Sequence, residues 1–92
     1  MEHDIDGVDP AAFTAALLHA EATRLWELWQ EGVLREASFR TDRHAVVLVF
    51  ETADVDAAAA IVQDLPLVRE GLIHFELIGL RPYDGFARLI GR

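Results

Sequence analysis

The chain contains no cysteine. That excludes disulfides and thiolate metal sites, and it suits a reducing compartment, so a cytoplasmic location is expected. No run of residues is long and apolar enough to cross a membrane. The start, Met1-Glu2-His3-Asp4, is acidic and lacks the basic and apolar regions of a secretory signal. Basic residues are scarce, 8 against 16 acidic ones, which leaves a formal net charge of −8. A surface of that sign repels polyphosphates and anionic lipid, so neither nucleic acid nor a membrane is expected as partner. His3, His19, His44 and His74 lack metal-ligand spacing, and no metal is expected. There is no phosphate-cradling glycine loop, repeat, low-complexity segment or linker. Ninety-two residues then make a single domain, 1–92.

What is present is apolar side chain: 52% of the residues, too many for a disordered chain. Asp9-Pro10 is the first strong signal, with Asp as N-cap and Pro at the first helical position. Leu18, Ala22, Leu25 and Trp29 then recur at helical spacing, widened by Phe13, Leu17 and Leu28, and predict a helix from Asp9 to about Gln30. Gly32 is the natural stop. A strand is predicted from Val33 to Arg40, a polar connection at Thr41–His44, and a second strand at Ala45–Phe50. Asp54 caps a second helix, Val55 to Asp64, which Pro66 is expected to end. Glu70-Gly71 is a turn, Leu72–Leu80 the last strand, and Arg81–Phe86 an extended tail followed by a helical turn at Ala87–Ile90.

The order helix, strand, strand, helix, strand is an α+β pattern. It matches a ferredoxin-like antiparallel sheet with two helices on one face, less its first strand. Only Met1–Ile5 can supply that strand, so it is expected to be short or missing. The Ala45–Phe50 segment is apolar on both flanks: Val46, Leu48 and Phe50 on one, Ala45, Val47 and Val49 on the other. One copy has helices for one flank. A second copy is the simplest cover for the other, so a homodimer or higher homo-oligomer is expected.

Several segments together resemble the muconolactone isomerase-like proteins. Leu65-Pro66-Leu67-Val68-Arg69-Glu70-Gly71-Leu72-Ile73-His74-Phe75-Glu76 and Leu80-Arg81-Pro82-Tyr83-Asp84-Gly85-Phe86-Ala87-Arg88-Leu89 resemble that family's C-terminal half. Trp26–Glu36 and Asp42–Leu48 fit the same group, and the likeness spans roughly residues 10 to 90. It implies a dimeric α+β barrel and, as activity, a proton shift on a lactone in aromatic catabolism. The family's Gly-x-x-Arg-His pattern reads Gly32-Val33-Leu34-Arg35-Glu36 here, with Glu36 at the expected His, and Val47 stands at a position polar in the enzyme.

Glu76 is the first candidate for chemistry. A mid-strand carboxylate facing a dimer cavity is desolvated and can exchange protons near neutral pH. The competing reading is an ion pair with Arg35 or Arg40 that holds an interface. His74 shares that face two residues away and can relay a proton, and Glu36 is a third candidate catalytic group. Arg35 and Arg40 lie on opposite strand faces, so one of the two is expected to hold a substrate carboxylate. Trp26, Trp29 and Phe39 are candidates to line an apolar pocket, or else plain core. Tyr83 and Phe86 read as anchors that dock on a neighbouring subunit.

Two functions follow. One is a cofactor-independent intramolecular isomerase acting on a lactone or small organic acid, since a proton shift beside a carbonyl needs only a placed acid–base group. The other is a non-catalytic small-ligand-binding or assembly module of the same fold. Glu76 facing an arginine across an open pocket would favour the first, and a pocket plugged by Phe39 and the tryptophans the second.

Overall fold

The computed structural model describes residues 1–91. It is a mixed α+β domain with small antiparallel sheets. Strand β1 (Glu2–Asp4) leads through a 3-10 turn at Pro10–Ala12 to helix α1 (Ala15–Gln30). Strands β2 (Leu34–Phe39) and β3 (Val46–Phe50) form a hairpin, followed by α2 (Val55–Gln63), α3 (Pro66–Arg69), β4 (Ile73–Phe75) and a 3-10 segment at Gly85–Ile90. The expected first strand therefore exists, but it is three residues long.

Local chemistry explains the element ends. Asp9 accepts the Ala11 N–H at 2.9 Å but caps only the 3-10 turn. The long helix starts later than the Asp9-Pro10 signal predicts, because Thr14 is a second cap that accepts the Leu17 N–H at 3.2 Å. Phe13, between the two caps, turns its ring into the core instead. At the other end Gly32 adopts φ 78°. Its N–H reaches the Trp29 carbonyl and the Val33 N–H reaches Leu28, the paired bonds of a Schellman stop. Gly71, at φ 71°, repeats the device after α3, with Gly71 bonded to Val68 and Leu72 to Leu67. Pro66 does not simply end α2. It forces Leu65 into extended backbone and then opens α3 as its first residue.

Pairing gives two ribbons. β1 runs antiparallel to β4, with Glu2 opposite Phe75, His3 opposite His74 and Asp4 opposite Ile73. β2 runs antiparallel to β3, from Leu34 opposite Phe50 to Phe39 opposite Val46, with a bulge between Leu34 and Glu36. The ribbons are not joined by a backbone ladder. Instead the buried Glu2 carboxylate accepts the Val46 N–H at 2.8 Å, filling the place of a strand carbonyl. The predicted last strand, Leu72–Leu80, pairs only to Phe75, because β1 is short. Between Phe75 and Leu80 only Glu76 finds a backbone partner, in Met1.

Two buried clusters sit where the elements meet. Leu28, Leu34 and Leu65 form one, with Leu48, Phe50 and Phe75 packed against it. Leu67, Leu72 and Ile73 form the other, closed by Phe13 and Leu17. Residues 76–91 add nothing to either. Leu80, Tyr83, Phe86, Leu89 and Ile90 are all exposed, with Leu80 at 78%. The radius of gyration is 15.9 Å, against about 12 Å for a compact chain of this length. β3 is half-buried from Val46 to Phe50, and Ala45 is buried, so the Val47–Val49 flank is neither fully wet nor fully covered.

Candidate functional site

A cavity of about 490 Å³ opens between α1 and the near ends of both ribbons. α1 supplies Leu18, Ala22 and Leu25, the hairpin supplies Phe39, His44 and Val46, and Leu67 and Ile73 complete an apolar wall. Three carboxyls interrupt that wall: Glu2 and Asp4 from β1 and Glu21 from α1. No arginine lines it. The entrance is aromatic, where the exposed Phe39 ring stacks on His44 at 4.9 Å between centroids and 26° between planes.

Glu21 is the unusual group. It sits one turn after Leu17 and two turns before Leu28, so the helical period carries it onto the apolar side of α1. It is buried, and one oxygen accepts the Leu67 N–H at 3.1 Å. That bond caps an orphan donor in the first turn of α3. Burial raises the Glu21 carboxyl above its ordinary value of 4.5. The Leu67 N–H opposes the rise and the charge of Glu2 adds to it. The cavity thus holds a carboxyl that keeps its proton longer than usual, in mostly apolar surroundings.

The residues singled out from sequence fall elsewhere, with one exception. Phe39 is at the cavity mouth. Glu76 lies just past β4 with its side chain half-exposed, and its carboxylate stands 3.2 Å from His3 Nε2 rather than beside an arginine. His74 is exposed and stacks on His3 at 5.3 Å, the two rings nearly parallel at 12°. Glu36 lies opposite Val49 on the other ribbon, so the structure does not join it to the Glu76–His74 pair. Arg40 forks onto Asp42 and reaches Met1 Sδ at 3.4 Å. Arg35 occupies the β2 bulge, which breaks the alternation that put the two arginines on opposite faces. Trp26 and Trp29 are 59% and 50% exposed on α1 and do not line the cavity. The pocket is therefore neither plugged by tryptophans nor faced by Glu76 and an arginine.

Four residues were not among the candidates read from the sequence: Glu2 and Glu21, and His3 and His44, which were weighed only as metal ligands. Glu21 alone carried a usable signal, a carboxylate in the apolar stripe of a helix. Among the described residues no cluster of His, Asp and Glu is placed to hold a metal ion, and no helix is long and apolar enough to cross a membrane. A second hollow, a groove of about 410 Å³, runs between β3, α2 and residues 76–80, with Met1 at its end. No protein-family model, curated protein or solved structure matches the chain.

Proposed function

We propose that this chain is a self-associating, cofactor-independent isomerase-like domain. It takes a small, largely apolar, uncharged organic molecule such as an unsaturated lactone into the cavity beneath α1 and moves a proton on it. The observation that carries the reading is Glu21, a buried carboxyl with a raised proton affinity inside a hollow large enough for such a molecule. In the step, ionised Glu21 takes the proton beside the carbonyl, and the electron pair moves onto the carbonyl oxygen. The resulting acid returns the proton at the far end of the conjugated system. No electrons are gained or lost. His44 at the mouth offers an N–H to the developing oxygen charge. Three carboxyls and no lining arginine disfavour an anionic substrate, so a neutral lactone fits better than an organic acid.

The wider arrangement in this proposal is ferredoxin-like, with helices on one side of the strands and a second copy on the other, as in a dimeric α+β barrel. The half-covered Val47–Val49 flank and the projecting apolar arm support it. The muconolactone isomerase-like resemblance points the same way. A binding module without chemistry is the second reading. It is favoured by the structural work both carboxylates already do, Glu2 on Val46 and Glu21 on Leu67. The test is solvent deuterium incorporation into a panel of unsaturated γ-lactones, followed by NMR. Exchange that Glu21→Gln abolishes supports the isomerase. Binding by thermal shift without exchange supports the module, and neither binding nor exchange rejects the cavity as the site.

A further inference from the structure

The chemistry of β1 goes beyond the cavity it helps to line. The strand is held by few pairs, and the middle pair is His3 directly opposite His74, the rings stacked at 5.3 Å. Side chains alternate along a strand, so Glu2 and Asp4 point toward the cavity while His3 points away from it. On that far side the charged groups near the histidine pair are few. Glu76 stands 3.2 Å from His3, the Met1 ammonium donates to the Glu76 carbonyl at 2.7 Å, and Arg40 reaches Met1 while forking onto Asp42. On the cavity side the strand faces Glu21 and His44, with Glu2 and Asp4 its own.

We propose that β1 is a pH-released strand: it docks when the His3–His74 pair carries at most one proton and detaches when both rings are charged. One protonated ring is matched by Glu76. With both charged, two imidazoliums share the single Glu76 carboxylate, since Arg40 is already matched by Asp42. Like charges directly across a ladder are destabilising. The ladder has few other bonds to resist them. Release would withdraw Glu2 from Val46 and Asp4 from the wall, so acid would dismantle the cavity from its rim while α1 and its core remain.

The experiment is two-dimensional NMR of the full chain at about pH 7.5 and about pH 5, the span over which a histidine side chain serves as a proton switch. The markers are the cross-strand Hα–Hα contacts of Glu2 with Phe75 and Asp4 with Ile73. Wild type is expected to show both contacts at the higher pH and to lose them at the lower, with the α1 amide signals unchanged. His74→Gln and His3→Gln each leave one ring, and each is expected to keep the contacts at the lower pH. Persistence of the contacts in wild type at the lower pH would overturn the proposal. So would their loss there in either variant that shows them at the higher pH. Should one variant fail to fold, the other decides. The outcome does not depend on whether the cavity turns over a lactone.

Discussion

Glu21 has two opposite effects on stability, and two substitutions separate them. Glu21→Ala removes the acceptor from the Leu67 N–H, a buried donor at the start of α3. An orphaned buried donor costs about 1–3 kcal/mol. For a domain of this size that corresponds to a Tm loss of roughly 5–20 °C. Glu21→Gln keeps an oxygen for Leu67 and removes only the ionisable group. Because burial raises the Glu21 carboxyl when folded, the folded state binds its proton more tightly than the unfolded chain does. Stability therefore falls as pH rises through that interval, and ionised Glu21 is a cost at neutral pH. The cost is absent below the ordinary value of 4.5. Gln should thus melt above wild type at neutral pH, with the gap closing on acidification, while Ala melts below both. Calorimetry at fixed protein concentration across pH reads this directly, since association also moves Tm. A Gln variant less stable than wild type at neutral pH, or a gap that does not change with pH, would refute the reasoning.

Other outcomes follow from the same structure. Leu65→Ala, at a fully buried side chain in the cluster of Leu28 and Leu34, should cost about 2–5 kcal/mol by denaturant unfolding. Gly32→Ala places a side chain at φ 78° and should cost about 1 kcal/mol, read as a lower denaturant midpoint at unchanged slope. Removing residues 81–92 deletes exposed Tyr83, Phe86, Leu89 and Ile90. Sedimentation should then show weaker self-association with the helical circular dichroism of α1 intact, because the arm adds nothing to the core.

The elements with strong local signals were legible in the sequence. β3 could be read from its run of β-branched residues, α2 from Asp54, and the end of α1 from Gly32, because each is decided within one turn of chain. Two caps in competition were harder. Asp9-Pro10 reads as a better helix start than Thr14, yet the long helix starts at the Thr14 cap, and Phe13 between the two caps packs against the core. The length of β4 was not legible for a different reason. Leu72–Leu80 has strand-like residues throughout, but a strand extends only as far as its partner, and β1 is three residues long. The site suffered most. Glu76 and His74 were read from a presumed dimer cavity; Glu76 lines the groove beside β3, and the hollow by α1 is built from other residues. Glu2, Glu21 and His44 meet there from positions 2, 21 and 44, and no local pattern brings such distant residues together.

The proposed chemistry depends on Glu21 binding a proton more tightly in the cavity than a free carboxyl does. Titration of its side-chain carboxyl carbon by NMR, assigned by comparison with Glu21→Gln, measures that directly. The midpoint should lie above 4.5 and move when a lactone occupies the hollow. A midpoint at or below that value, unmoved by every ligand that raises Tm, would contradict it.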